Sequence, residues 1–391
     1  MRHLSGRLLA AAAVVPMSIL ATASAAGAQS QPFDEPKDAA ASWLVAQSDG
    51  PSWSGGDVAT SLEATIGLLA AQVGGDQVQA TLEWLNDTDT LTPYVYPTGE
   101  GAESAALNAG AAGKVMYTVA TAGGDPTNFG GIKLADEVAA SQTETGAYGD
   151  GTAGSTAWAV LGLSRTDAPA GPEAAAAFAA MQCPDGGFNF ADVDGGDDCL
   201  SDPDTTGLVV SALATFDDAE ALDAAVTWLE SAQGENGGFD GGFGENANST
   251  AMAAQAFFAT GRDDAAQKAV AYLVGLQFDC EGAAPGAVMF TDPEDPDFGE
   301  AGRLYATAQA LVPISGQSYT ELDGSNASAE VPELKCGAEA ASEEESDSAS
   351  WLPWAIGAAV LVIAAVIVAL ALKARRSASA TKGSAADTDE Q

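Results

Sequence analysis

The segment AAVTWLESAQGENGGFDGGFG, residues Ala224–Gly244, carries a pattern that recurs along the chain. It has the character of a helix end followed by a glycine turn and an aromatic residue, and Phe239 stands six positions after Gln233. The same spacing joins Gln182 to Phe188, Gln142 to Tyr148, and Gln47 to Trp53. This recurring segment from a glutamine to the aromatic residue six positions later is called the glutamine phrase. Its recurrence indicates a repeat architecture, in which each unit buries its apolar face against its neighbours.

Six helix–loop–helix units fit this pattern, with apolar residues at helical spacing on both sides of each glycine-rich loop. They are expected at 36–72, 76–122, 132–164, 172–215, 219–260 and 262–313. The second unit lacks the glutamine, and the sixth has Ala283 where the others have an aromatic residue. The second helix of each unit is rich in small residues and is expected in a crowded inner ring. Because neither end has a polar capping repeat, a closed ring is favoured over an open solenoid. The predicted fold is an all-α α6/α6 toroid.

The regions outside the repeats predict a membrane-anchored protein. Residues 1–28 have the pattern of a secretory signal peptide. Residues 351–372 carry no charge, are long enough to cross a bilayer at about 1.5 Å per residue, and are followed at once by basic residues. The expected order is signal peptide (1–28), extracellular toroid (29–314), acidic stalk (315–350), transmembrane helix (351–372) and cytoplasmic tail (373–391). This is a single-pass cell-membrane protein with its folded domain outside.

The charge balance limits the partners. The chain has 14 Lys and Arg against 55 Asp and Glu, a formal net charge of −41. Nucleic acids require a basic surface, so they are excluded as partners, and a general affinity for anionic lipid is disfavoured for the same reason.

The four cysteines indicate disulfides, since an extracellular compartment is oxidising. Proximity favours Cys183–Cys199 and Cys280–Cys336, although three pairings are open. A zinc site is disfavoured because no two cysteines have C-x₂-C spacing and the single histidine, His3, lies in the signal peptide.

One loop, residues 185–204, is rich in aspartate. Hard cations take clustered carboxylates, so calcium is the metal that this loop would suit. The spacing departs from that of an EF-hand, and a solvated acidic loop locked by the disulfide is the alternative. No other cofactor is expected. The candidate ligands are Asp192, Asp194, Asp197 and Asp198.

The mouth of the ring is the candidate ligand site. If the inner helices run parallel, their N-termini and the glycine-rich loops meet on one side, where partial positive charge favours a polar or anionic ligand. Core packing is the alternative for the aromatic residues there, and a structural ion pair is the alternative for Arg303. The candidates are Tyr148, Trp158, Phe188, Phe239, Phe243, Arg303 and Tyr305.

The glutamine-to-aromatic repeats resemble the QW repeats of squalene–hopene cyclases and the related repeats of protein prenyltransferases, over about residues 37–314. The resemblance implies a toroid with a central hollow. The chemistry of those families does not carry over. The D-x-D-D acid of the cyclases has no counterpart, the zinc site of the prenyltransferases needs a histidine, and the Cys-Gly-Glu-Gln thioester of complement-type toroids is absent.

In compartment, size and cysteine use the chain is similar to the cobalamin carriers intrinsic factor and transcobalamin, without their small β domain. These features together predict a non-catalytic module that binds a cobalamin-like or isoprenoid small molecule or a surface partner. A separate partner chain at the ring mouth would replace the missing domain. The alternative is an enzyme, either of terpenoid cyclase or prenyltransferase type, or one that processes glycans with acidic loop residues as general acid or base.

Overall fold

The computed structural model describes residues 33–98, 106–190, 196, 199–217, 219–242, 244–294 and 299–334. The predicted signal peptide, transmembrane helix and cytoplasmic tail lie outside these ranges. Among the residues described, no helix is both long and apolar enough to cross a bilayer.

The described part of the chain contains thirteen helices and one two-stranded ladder. Six helices form an inner layer: α2 (Val58–Ala71), α5 (Ala109–Thr121), α7 (Ala153–Leu163), α9 (Pro203–Leu213), α11 (Ala247–Ala259) and α13 (Gly299–Ile314). Seven lie outside them: α1 (Pro36–Ala46), α3 (Gly75–Leu85), α4 (Thr88–Val95), α6 (Leu134–Ala140), α8 (Pro172–Met181), α10 (Leu222–Ala232) and α12 (Asp263–Gly275). Strands β1 (Phe239–Asp240) and β2 (Glu245–Asn246) pair antiparallel in the fifth loop.

Helix α4 is additional to the twelve helices expected. It occupies the loop of the second unit, which lacks the glutamine phrase. Asp87 starts it by accepting hydrogen bonds from the backbone N–H groups of Asp89 and Thr90, which are two of the free donors at a helix start.

The inner helices form a closed ring. Each packs against the inner helix before and after it, and α13 returns to pack against α2. Gln277 joins the same two units from outside, because its Nε2 donates to Pro36 O at 2.9 Å and to Gly286 O at 2.9 Å. The described helices therefore have the arrangement of an α/α toroid, and the open solenoid is excluded.

Glycine brings the inner helices into backbone contact. A Cβ atom on Gly113 of α5 would lie 2.3 Å from Trp158 O of α7, and one on Gly207 of α9 would lie 2.4 Å from Met252 O of α11. No side chain fits at either distance. The small residues of the second helices therefore have the role that the sequence predicted for them.

The glutamine phrase is a joint between consecutive helix pairs. Gln233 Nε2 donates to Gly237 O of its own loop at 3.3 Å and to Ala265 O at the start of α12 at 2.9 Å. Gly237 has a φ of +96°, and a Cβ atom there would lie 2.2 Å from Lys268 O. Only glycine suits this position, because the loop turns directly against the next outer helix.

The aromatic residue of the phrase is tied to the inner helix that follows. Phe239 N donates to Thr250 Oγ1 at 3.0 Å. The same bond joins Trp53 to Ser61, Tyr148 to Thr156, and Phe188 to Thr206. In the sixth unit Val288 takes this place and donates to Thr307. Val288, and not Ala283, is therefore the equivalent of the aromatic residue, because the sixth loop has extra residues between Gln277 and Val288.

Residues 315–334 close the end of the ring where the inner helices finish. Tyr319 is 1% exposed, and its N–H donates to Gln255 Oε1 at 3.1 Å. Its carbonyl oxygen accepts from Arg165 Nη2 at 2.7 Å and from Tyr117 OH at 2.9 Å. Gly324 N then donates to the carbonyl of Thr121, the last residue of α5. This first part of the expected stalk therefore packs on the toroid.

The disulfide Cys183–Cys199 is present as predicted. Cys280 is also disulfide-bonded, and its predicted partner, Cys336, lies outside the described residues.

Candidate functional site: the mouth of the ring

Polar caps set the register of the inner helices. Asp57, Asn108, Thr152, Asp202 and Asn246 each accept a hydrogen bond from the backbone N–H three residues further on. The residues two and six positions after a cap lie on one helix face, since four residues make just over one turn. The hydroxyl residues that accept the bond from each loop aromatic, called the loop anchors, stand four positions after a cap and so point away from this face. They are Ser61, Thr156, Thr206 and Thr250.

Two layers of residues face the hollow on this register, with α13 aligned through Thr307, which binds Val288 of its loop. The upper layer, nearer the helix starts, consists of Ala59, Gly110, Gly154, Asp204, Asn248 and Tyr305. The lower layer consists of Glu63, Lys114, Trp158, Leu208, Met252 and Gln309. Contacts agree with this placement: Lys114 forms an ion pair with Glu63 on one side and lies 5.2 Å from the ring centroid of Trp158 on the other.

Glu63 is the most constrained carboxylate of the hollow. It is 3% exposed, and Lys114 is 6% exposed. Besides the ion pair with Lys114, Glu63 Oε1 accepts from Tyr305 OH at 3.0 Å and from Gln309 Nε2 at 3.4 Å. A buried carboxylate without a partner would be very costly, and Lys114 supplies the counter-charge that offsets this cost.

Two phenols beside Glu63 are held in their protonated form. The negative charge of Glu63, together with burial, raises the pKa of Tyr305 far above its usual range. Burial, followed by the charges of Glu63 and Asp57, raises the pKa of Tyr94 in the same direction. Both side chains are therefore hydrogen-bond donors, and neither is a base at neutral pH.

Aromatic rings form the floor of the hollow. The ring centroid of Trp158 lies 5.9 Å from that of Tyr117 and 5.4 Å from that of Tyr319. The centroids of Tyr117 and Tyr319 lie 5.6 Å apart. These are distances typical of packed aromatic pairs, so the hollow is closed below Trp158.

Asp204 is the carboxylate of the upper layer. Burial raises its pKa above the usual range, and the charge of Asp202 adds to the effect. Ser249 Oγ donates to Asp204 Oδ2 at 2.7 Å and partly opposes it. Helix α9 stands opposite α2 in the ring order, so Asp204 of the upper layer and Glu63 of the lower layer come from opposite sides of the ring. One carboxylate is ion-paired, and the other is shifted toward its protonated form.

The structure divides the aromatic candidates into two groups. Trp158 and Tyr305 line the hollow, as described above. Tyr148, Phe188 and Phe239 are at most 3% exposed, because the bond to the loop anchor holds each of them behind its inner helix. These three pack beneath the repeats, which was the alternative for them, and they are not part of the site described here.

Arg303 has a structural partner. Its Nε and Nη2 both donate to the carboxylate of Glu294, and its guanidinium carbon lies 5.1 Å from the ring centroid of Phe278. This is the ion pair that the sequence left open as the alternative.

The remaining candidates lie outside the described residues: Phe243 and the four aspartates Asp192, Asp194, Asp197 and Asp198. In the part of the chain that the structure describes, no group of three or more His, Cys, Asp or Glu side chains is placed to hold a metal ion.

Sequence reasoning did not select Glu63 or Lys114, and it placed Asp204 only at the end of the aspartate-rich loop, without choosing it as a ligand or a catalytic group. A usable signal existed. Counting six positions from the caps Asp57 and Asn108 gives Glu63 and Lys114, the same place that Trp158 holds in its own helix.

No protein-family model matches the sequence, and no curated protein matches it. Solved structures do match the fold. A wild-type glycosidase is 13% identical with a TM-score of 0.50, over 76% of this chain and 100% of the glycosidase. A glycosidase variant in complex with glucose is 12% identical with a TM-score of 0.50, over 74% of this chain and 99% of the other. A type II terpene cyclase from Scytonema, in complex with its substrate geranylgeranyl dihydroxybenzoate, is 13% identical with a TM-score of 0.49, over 73% and 97% of the two chains.

These comparisons correct the main functional expectation. The chain shares its fold with enzymes, among them glycosidases, and none of these neighbours supports the expected non-catalytic binding module. The similarity to cobalamin carriers is not shown. The predicted membrane span lies outside the described residues and stays a prediction.

Proposed function

We propose that this chain is an enzyme that cleaves glycans, with Glu63 and Asp204 as its two working carboxylates. One observation carries the proposal: two carboxylates in opposite electrostatic environments face the same hollow. Glycoside hydrolysis uses such a pair, one group as proton donor and the other as base or nucleophile. The raised pKa of Asp204 suits that carboxyl to the donor role, and the ion pair with Lys114 suits Glu63 to the other role.

Asp204 is the proton donor in this proposal. Burial keeps its proton to higher pH than an ordinary aspartate, so that it can protonate the leaving oxygen of a glycosidic bond. Glu63 is the ionised partner, which activates water or attacks the sugar directly. Lys114 and Tyr305 fix the position of its carboxylate and leave Oε2 available for the substrate or a water molecule.

The nature of the hollow favours a sugar over an isoprenoid. Its lower layer holds a charged pair and an amide, and the protonated phenol of Tyr305 donates a hydrogen bond to the pair. Two amide oxygens of the hollow, Gln309 Oε1 and Asn248 Oδ1, are buried without a hydrogen-bond partner among the described residues, and an isoprenoid would supply neither of them with one, at a considerable cost in free energy. The hydroxyls of a sugar would satisfy them. That glycosidases share the fold supports the same choice.

The test is a screen of the purified protein against neutral and acidic polysaccharides, with new reducing ends and product masses as readouts. Glu63→Gln and Asp204→Asn remove the ionisable group with little change in side-chain shape. Because Glu63→Gln leaves Lys114 buried without a counter-charge, kcat is measured at temperatures where a circular dichroism melt shows each variant to be folded. Each should lower kcat by about 10²–10⁴-fold. Asp223→Asn, on the exposed first turn of the outer helix α10, is the matched control and should leave activity unchanged. Full activity in both hollow variants, or no cleavage of any polysaccharide in the panel, would refute the proposal.

A further inference from the structure

Phe190 is a large apolar side chain that stands in water. It is 63% exposed, although aromatic residues contribute most to stability when they are buried. Its backbone is firmly held nonetheless. Asn189 Nδ2 donates to Leu200 O at 2.6 Å, Asp202 N donates to Phe188 O at 2.9 Å, and the disulfide Cys183–Cys199 joins the two sides of the same loop.

The ring of Phe190 lies at the entrance to the hollow. A Cβ atom on Gly154 would lie 2.5 Å from Phe190 Cε2 and 2.7 Å from Cδ2, so the ring rests on the bare Cα of Gly154. Gly154 belongs to the upper layer of the hollow, and Trp158 stands four residues further along the same face of α7. The Cα atoms of Gly154, on which Phe190 rests, and of Trp158 are therefore about 6 Å apart along the helix axis, at ~1.5 Å per residue.

Trp158 is the inner of these two rings and is itself partly exposed. It lies beside Lys114 and hence beside the ion pair with Glu63. A molecule that passes Phe190 and reaches Trp158 therefore arrives at the proposed reacting carboxylates. Since Tyr319 closes the hollow beneath Trp158, that molecule cannot pass through the ring.

We infer that Phe190 and Trp158 are successive stacking platforms for the sugar rings of a glycan, and that the site takes the end of the chain rather than its middle. This rests on the proposed function for its substrate class. A pyranose presents a flat face of C–H groups, which suits an aromatic ring, and an edge of hydroxyls, which suits the polar groups of the hollow. Trp158 binds the terminal sugar next to Glu63, and Phe190 binds a sugar nearer the entrance.

The inference predicts how affinity depends on chain length. Glucose and the cello- and malto-oligosaccharides of two to five residues are titrated into the full protein, and binding is measured by calorimetry. Ligands long enough to reach Phe190 should bind more tightly than glucose. Phe190→Ala should weaken only those longer ligands, by about three- to tenfold. Trp158→Ala should weaken all lengths, glucose included.

Two further variants separate stacking from a general effect on the fold. Phe190→Tyr retains a flat ring and should bind like the wild type. Gly154→Ala places a methyl group where the Phe190 ring rests, and it should reproduce the loss seen in Phe190→Ala while the melting temperature is kept or raised, since alanine favours a helix. Circular dichroism melts of each variant accompany the titrations.

The outcomes distinguish this inference from the proposed function. Binding that improves with chain length through Phe190, in a protein that cleaves nothing, would support the platforms and refute the enzyme. If the protein cleaves glycans but Phe190→Ala and the wild type bind every length with equal affinity, the stacking role of Phe190 is refuted and the proposed enzymatic activity stands. Products released from the middle of long chains would overturn the chain-end preference, and so would the absence of binding by every oligosaccharide.

Discussion

The buried charges of Glu63 and Lys114 should be strongly coupled in unfolding experiments. The two side chains are 4% and 7% exposed. Replacing Lys114 by Met leaves Glu63 as a buried charge without a counter-charge, and Glu63→Gln does the same to Lys114. Removal of one partner of a buried pair costs about 3–5 kcal/mol, which is a large part of the ~5–15 kcal/mol that stabilises an ordinary protein.

The double variant Glu63→Gln with Lys114→Met should lose much less than the sum of the two. Neither charge is then left alone, and replacing both members of a buried pair is often neutral. Since the two single losses add to about 6–10 kcal/mol and the double change is near neutral, we expect a coupling energy of several kcal/mol, above the ~0.5–3 kcal/mol that contacting residues commonly show. Urea unfolding followed by far-ultraviolet circular dichroism measures it, and Lys114→Arg, which keeps the charge, is the control for fold.

Salt provides a second readout for the same pair. A buried pair is screened weakly, so the coupling should change little between low salt and 1 M salt. A coupling of less than about 1 kcal/mol that disappears in salt is the behaviour of a solvated pair. That result would refute both the burial of the ion pair and the fixed position of Glu63.

Three further changes test the fold and the site. Gly113→Ala should lower stability by about 1–3 kcal/mol in urea unfolding, because the new methyl group forces α5 away from α7; an unchanged midpoint would contradict the close approach of these helices. Gln277→Ala should cost about 1–3 kcal/mol, since two carbonyl groups lose their donor, whereas Gln47→Ala, at an exposed glutamine of the same phrase, should stay within about 0.5 kcal/mol. Ser249→Ala removes a hydrogen bond that lowers the pKa of Asp204, so the alkaline limb of the kcat/KM profile should move to higher pH; a limb that moves to lower pH would contradict Asp204 as the proton donor. Because the pKa of Asp204 is raised by folding, its ionisation lowers stability as pH rises from the usual aspartate range through the raised value, and Asp204→Asn should remove this part of the pH dependence of unfolding.

The repeat architecture could be predicted because its signal is a spacing. The spacing between Gln233 and Phe239 is fixed by a hydrogen-bonded turn that must fit against the next helix pair. The same residue types therefore recur wherever this turn recurs. The sixth unit shows the limit of this reasoning. Gln277 keeps both of its bonds, but its loop is longer, and Val288 could not be recognised as the equivalent of the aromatic.

The site was harder to predict because its residues do not repeat. One position per inner helix faces the hollow in each layer, and the six occupants of the lower layer differ in size and charge. By residue type alone, Phe188 and Trp158 are equally suited to contact a ligand. Only the caps, which set the rotation of each inner helix, separate the one that faces the hollow from the one that packs behind it.

The expectation of a non-catalytic protein was wrong for a related reason. It depended on the absence of the D-x-D-D acid and of zinc ligands, which belong to particular families. A fold hosts many chemistries, and the carboxylates that face the hollow here come from α2 and α9, far apart in sequence and outside any short motif.

The bond from Gln277 to Pro36 spans 241 positions of the chain. Contacts between such distant segments slow folding, because the entropy of closing the loop is lost before the contact stabilises anything. During synthesis the apolar face of α2 that packs against α13 therefore stays exposed until α13 has been made. We expect this exposed interval, rather than the final stability, to limit the yield of soluble protein, and a chain permuted to begin at the loop between two other units should move the vulnerable face to a different helix.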